Sequence, residues 1–416
     1  MAWAGLRTAL GRFLPVALVV GLLAALACTG AGLGITFQGW GGPSVVGNSL
    51  YVPTKKDSDQ ATIRIIDTVS GAVTGSHTAT GESTSIYGAP VSGPEGHTAF
   101  ITVIYTADGN DYGRVFAIGD GGFDAPVWQF PEPGMNSVGV IFGGVAYSQG
   151  TDTVYFGADD GMLYGLDATT GEPKLGAGGV FFPAESPIWS TPTIDSSVVY
   201  FGTMDGTLYG VSETGGKTLE FRAGGAIVAT PTVEEGVAYV GSFDKNFYAV
   251  PVNGGLNARP RWSYPTGSWI WADALFAADA RGQDMVFISS LDGEVQAVDA
   301  ASGSPLWAEP FIASEGVRGT PALVGKSASG GQFSSLADRV LVVGSRDGRV
   351  YGLDPQTGTP AWDEPFNTRD LGDDGGQILA PVGARGNAAF VVTTKYDIFA
   401  IDANTGKALP GFISAE

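Results

Sequence analysis

The chain has 416 residues with 42 acidic against 22 basic side chains, a net charge of −20, and one cysteine. That balance excludes a sequence-independent nucleic-acid binder, which needs basic surface to displace counterions. Two histidines, His77 and His97, and no Cys-x-x-Cys pair exclude a structural zinc site. The 64 glycines and an aromatic share of 11% predict many short strands joined by tight turns, whereas disorder needs few aromatics.

Residues 1–27 read as an export signal. Arg7 and Arg12 supply the positive start, and the apolar run from Phe13 to Ala27 follows. That run falls short of the roughly 20 residues of a membrane-spanning helix. It ends in Ala25-Leu26-Ala27-Cys28, and two processing routes fit. Ala-x-Ala suits ordinary signal peptidase. Small residues before the sole cysteine suit a lipobox, although Ala25 stands where Leu is usual. The lipobox makes Cys28 the lipidated N-terminus and residues 28–34 a flexible tether. An uncleaved anchor running through Ile35 is a third route. All three put residues 35–416, read as one domain, outside the cytoplasm.

Within that domain a unit recurs, clearest in residues 154–175 and 341–362. Its marker is an Asp with a Gly four residues later: Asp67, Asp167 with Gly171, Asp299 with Gly303, Asp354 with Gly358, and Asp402 with Gly406. Gly119, Ser212 and Pro251 fill the Asp place in three further copies, and the eight markers are 39 to 55 residues apart. A four-stranded propeller blade needs about 40–50 residues. The expected fold is therefore all-β, an eight-bladed β-propeller of four-stranded antiparallel blades. Seven blades result if the first two copies are not both complete.

Each unit predicts four strands. The first follows a Thr-Pro-like start (Thr191-Pro192, Thr230-Pro231, Thr320-Pro321, more loosely Pro90 and Pro381). The second is apolar and β-branched. An Asp-Gly hairpin turn leads to the third, at Gly161, Gly206, Gly293 and Gly348. The fourth carries a tryptophan, at Trp128, Trp262, Trp307 and Trp362. Because these Asp, Gly and Trp residues recur, they are read as architectural. Residues Ile35 to Trp40 are expected to add a strand that closes the ring.

The Asp-x-x-x-Gly turn with Trp eight residues after the Asp (Asp299 to Trp307, Asp354 to Trp362) resembles the repeat of pyrroloquinoline-quinone (PQQ) type propellers, over nearly all of residues 35–413. One branch of that family consists of quinoprotein dehydrogenases, which hold PQQ and calcium. Many of them carry an adjacent cysteine pair that this chain lacks. The other branch is non-catalytic and includes exported, acylated propellers of outer-membrane β-barrel assembly. The length, signal and single cysteine resemble the second branch. The resemblance implies a monomeric, membrane-tethered scaffold for a protein partner of the cell envelope, with no catalytic residue, metal or cofactor. A PQQ–calcium dehydrogenase is the alternative, and a surface carbohydrate-binding propeller is a further one.

Asp108 to Asp111 reads as a solvated turn, since it lacks the distal Glu of a calcium loop, and the Gly-rich Asp370 to Gly376 reads as a mobile acidic loop, with a calcium ion as the alternative. The candidate partner-binding face lies in the loop before each first strand. It carries Tyr87, Trp189, Trp269, Trp271, Arg318 and Gln377. Aromatics and Arg concentrate at binding hot spots, though tryptophans there also suit a plug of the central channel.

Overall fold

The computed structural model describes residues 41–410 except 56–59, 80, 82, 95–98, 120–121, 133–137, 175, 280, 327–334 and 372–374. The chain divides into Met1–Gln38 and Gly39–Glu416. The export signal, Cys28, the Ile35–Trp40 segment and His97 lie outside the described residues, as does part of the Asp370 loop. No helix among the described residues is long and apolar enough to cross a membrane.

The described part of Gly39–Glu416 forms eight antiparallel four-stranded sheets. Blade 1 is Ser44–Val46, Ser49–Lys55, Ala61–Asp67 and Val73–Thr78. Blade 2 runs from Ser83–Ser85 to Trp128–Phe130, and blade 3 from Ala146–Ser148 to Val180–Pro183. Blade 4 runs from Thr193–Asp195 to Lys217–Arg222, and blade 5 from Thr232–Glu234 to Trp262–Pro265. Blade 6 runs from Leu275–Ala278 to Phe311–Ile312, blade 7 from Ala322–Gly325 to Phe366–Asn367, and blade 8 from Gly383–Arg385 to Lys407–Ala408. The eight markers predicted from sequence fall at the end of the third strand of each blade, or one residue beyond it.

The second strands are near-continuous apolar runs because both of their faces are buried. Side chains alternate across a strand, so successive residues serve opposite neighbours. In Thr153–Gly157 of blade 3, Val154 and Phe156 pack into blade 2, while Tyr155 packs into blade 4. The same alternation around the ring gives one buried cluster at each blade junction. The ring closes where Leu50 and Val52 of blade 1 meet Phe390 and Ala400 of blade 8. Arg385 of blade 8 adds hydrogen bonds to Thr68 and Asn48 of blade 1. Single blades cannot bury their own faces, so these junctions are the core.

The marker turn is built as its residues require. The Asp299 carboxylate accepts from the Ser302 N–H at 2.8 Å, and the Gly303 N–H closes the turn onto the Asp299 carbonyl at 2.8 Å. Gly303 sits at φ +72°, where a Cβ would be strained and would also lie 2.6 Å from the Trp262 ring. That ring belongs to the preceding blade, and its Nε1 donates to the Ala300 carbonyl at 3.0 Å. Trp128, Trp307 and Trp362 make the same bond to Ala168, Pro355 and Ala403 of the next blade. Each tryptophan is therefore a tie between neighbouring blades.

Three local expectations need correction. Trp307 and Trp362 precede the fourth strands Phe311–Ile312 and Phe366–Asn367. Pro310 and Pro365 interrupt the ladder there, because proline has no N–H to donate. In blade 2 the first strand is Ser83–Ser85, upstream of Pro90, and only Val91 bridges to Phe100 after it. The Gly93-Pro94 pair halts a strand at that point. The Asp-Gly loops between second and third strands are longer than two-residue turns. At Asp160-Gly161 the Gly161 N–H bonds the Ala158 carbonyl, and only the glycine has positive φ. The Asp108-Gly109 turn, by contrast, joins two long strands with both residues at positive φ, a two-residue hairpin.

Candidate functional site

The first strands of the blades stand side by side around the axis, so the loops that lead into them meet at the centre of one face. Seven of these loops share a frame. Its first place is a buried branched residue: Ile86, Ile141, Ile188, Ile227, Ile270, Val317 or Ile378. In four blades this side chain seats against the glycine that ends the preceding second strand. A Cβ at Gly157, Gly202, Gly241 or Gly344 would lie 2.1, 2.3, 2.1 or 2.5 Å from the isoleucine Cγ2. The third place is small because adjacent loops touch. A Cβ on Gly319 would lie 2.1 Å from the Ala380 carbonyl oxygen.

The fourth place ties the loops together. The Gly144 N–H donates to Thr191 Oγ1 at 2.7 Å. The Thr230 N–H donates to Asp273 Oδ1 at 2.6 Å, and the Asp273 N–H to Thr320 Oγ1 at 3.0 Å. Asp273 thus occupies a threonine place and brings a carboxylate to the axis. Desolvation by burial raises its pKa above the usual carboxylate value. A raised folded pKa means the folded state binds more protons than the unfolded chain. This group's contribution therefore falls as pH rises from about 3.8 through the folded pKa, and stays low above it. Asp273→Asn keeps the acceptor and removes the charge. Its melting temperature relative to wild type should be higher at pH 7 than at pH 4, and an offset equal at both pH values would contradict the assignment.

The second place of the frame is what faces the cavity. Tyr87, Phe142, Trp189, Val228, Trp271, Arg318 and Leu379 line a central cavity of about 220 Å³. Tyr87, Phe142 and Trp189 form an aromatic crescent, with centroids 5.6 and 4.4 Å apart. Opposite it, the Arg318 guanidinium lies 4.4 Å from the Trp271 ring centroid, a cation–π pair. Arg318 is 6% exposed. Desolvation, with the nearby positive charge of Arg346, brings its pKa down to about 9 against the opposing effect of Tyr87. The Trp189 ring is 8% exposed, and its Nε1 is buried with no hydrogen-bond acceptor among the described residues. Buried donors left in that state are uncommon.

The structure therefore brings Tyr87, Trp189, Trp271 and Arg318 to one cavity. Trp269 and Gln377 stand one residue before the frame and are not among the cavity-lining residues. Trp269 stacks on Phe243 at 4.7 Å, and Phe243 packs in turn on Trp271 at 4.9 Å, so Trp269 supports the Trp271–Arg318 wall. The Gln377 N–H donates to Thr394 Oγ1 at 3.0 Å, and its carbonyl accepts from the Thr394 N–H at 2.8 Å. Sequence reasoning missed Phe142, Val228, Asp273 and Leu379. Aligning the loops on the buried isoleucine rather than on Thr-Pro would have found them.

A family model described as outer membrane protein assembly factor BamB matches residues 182–270 and 291–409, half of the chain. The chain belongs to this PQQ-like, BamB family. Among solved structures it is similar to BamB from Moraxella catarrhalis, with a TM-score of 0.57 and 18% identity over 86% of this chain and 94% of that one. It is also similar to the computationally designed Ika8 protein, with a TM-score of 0.60 and 16% identity over 88% of this chain and 96% of that one. At these identities the likeness is one of fold. No curated protein matches the chain in sequence.

For this BamB-family chain the quinone alternative can be weighed on its donor set. A calcium-bound quinone needs several oxygen ligands around the metal. Among the described residues Asp273 is the one carboxylate lining the cavity, and it accepts from the Thr230 N–H. No group of three or more His, Cys, Asp or Glu side chains able to hold a metal occurs among the described residues. The cavity residues do not fit that group.

Proposed function

We propose that this chain is an exported, non-catalytic scaffold of cell-envelope protein assembly that grips a protein partner at its central cavity. Membership of the BamB family supports the setting. The cavity carries the reading: aromatic rings and a buried arginine converge on one concave spot, the composition of an interface hot spot. In this reading residues 1–27 are the export signal and Cys28 is lipidated, tethering the propeller to a membrane. Metabolic labelling with palmitate that Cys28→Ala abolishes checks the tether.

The full-length chain, used as bait in envelope extract, is expected to recover a specific envelope protein. The triple variant Trp189→Ala, Trp271→Ala, Arg318→Ala should lose that protein while keeping its β-sheet circular dichroism. A single hot-spot truncation costs about 2 kcal/mol or more, so three together leave at most a few per cent of the capture. Undiminished capture by the folded triple variant would end the proposal.

A further inference from the structure

The cavity's chemistry defines what enters it, and this step rests on the partner-binding reading above. Its volume of about 220 Å³ is below the roughly 300–1,000 Å³ typical of pockets for whole small-molecule ligands. One side chain with a neighbouring polar group fills it. Its wall is divided by chemistry. The crescent Tyr87–Phe142–Trp189 presents ring faces and edges. The opposite wall presents the Arg318 guanidinium over the Trp271 ring. The charges acting on Arg318 include the Arg346 guanidinium, which disfavours a second positive charge beside it, and the Tyr87 phenol. Asp273 lines the same cavity but is tied to the Thr230 N–H at 2.6 Å. In a chain of net charge −20, Arg318 brings a guanidinium to the centre of this face. The Trp189 Nε1 is a second donor at the same place, buried and without an acceptor among the described residues.

We propose that the cavity captures a carboxylate borne beside an aromatic or branched apolar side chain of the partner polypeptide. The carboxylate is received by Arg318 with Trp189 Nε1 as second donor, and the apolar side chain lies in the Tyr87–Phe142–Trp189 crescent. Planar guanidinium and carboxylate groups match in a fork that an ammonium does not reproduce, so an arginine at this place gives selectivity as well as attraction. Carboxylates of this kind come from two sources, a chain end or an internal Asp or Glu.

Calorimetry on the full-length chain with three probes separates them: N-acetyl-Ala-Phe as free acid, the same dipeptide as its C-terminal amide, and N-acetyl-Phe-Glu amide. At least one acid is expected to bind about tenfold or more tightly than the Ala-Phe amide, since a hydrogen bond to a charged group is the stronger kind. Preference for the free acid identifies a chain end, and preference for the Glu probe an internal acidic residue. Arg318→Met should erase the difference between acid and amide, and Arg318→Lys should retain part of it. Trp189→Phe, which keeps the ring and removes the donor, should weaken the acids more than the amide. Equal binding of acids and amide, or binding of none, overturns the proposal. If the triple variant still loses the envelope partner in that case, the scaffold reading stands and only the carboxylate assignment falls. If the triple variant keeps the partner, the scaffold reading falls whatever the probes do.

Discussion

Trp362→Ala is expected to destabilise the propeller by about 3–5 kcal/mol, the usual cost of emptying a buried aromatic site. Trp362 is 7% exposed and sits in the cluster shared by blades 7 and 8, beside Val342, Phe399 and Ile401. Its Nε1 donates to the Ala403 carbonyl at 2.7 Å, and its ring lies against Gly406, where a Cβ would be 2.7 Å away. The substitution removes ring contacts to both blades and leaves the Ala403 carbonyl without its donor. Trp362→Phe keeps much of the volume and should cost less, about 1–2 kcal/mol, close to one buried hydrogen bond with some packing loss. Urea unfolding followed by far-ultraviolet circular dichroism measures both. A loss under 1 kcal/mol for Trp362→Ala would show that blade 8 is held without this tie. Trp128, Trp262 and Trp307 make the same link at three other junctions, so each should show a loss of similar size.

The ties also explain which parts of the molecule were legible in sequence. Asp67, Asp167, Asp299, Asp354 and Asp402 cap the same turn in five of the eight blades. A physical need that recurs from blade to blade leaves a recurring residue, and repetition makes it readable. The short first strands carry no such mark. In blade 2 the strand lies before Pro90, because a three-residue element has too little pattern to compete with a Thr-Pro-like start. The cavity was half readable for a related reason. Trp189 and Arg318 stand out chemically beside a Thr-Pro pair, whereas Phe142, Val228 and Leu379 look like ordinary core residues. Only the isoleucine frame shows that they occupy the same place. Asp273 was hidden because it fills a threonine place, and a lone acidic residue in an apolar loop has no periodic partner.

That frame makes Gly241 a strong lever on the site, although it lies outside the cavity lining. Gly241 ends Val237–Gly241, the second strand of blade 5, so a side chain there is conformationally allowed. Space forbids it: a Cβ would lie 2.1 Å from Ile270 Cγ2 and 2.8 Å from Ile270 Cβ. Ile270 is fully buried, and its N–H is bonded to the Ser242 carbonyl at 3.3 Å, so it cannot retreat without moving its loop. Trp269 and Trp271 flank it in sequence, and Arg318 rests on Trp271. Gly241→Ala should therefore cost about 1–3 kcal/mol by overpacking. It should also weaken partner capture, by shifting the Trp271–Arg318 wall. Ile270→Ala alone should cost about 2–5 kcal/mol through the cavity it leaves. In the double variant the new alanine methyl enters the space that Ile270 Cγ2 vacates. The two losses should then fall short of additivity by about 1 kcal/mol or more, as expected for residues in direct contact. Additivity within about 0.5 kcal/mol would mean that Gly241 and Ile270 do not share one space. The glycine would then be set by something other than the Ile270 loop.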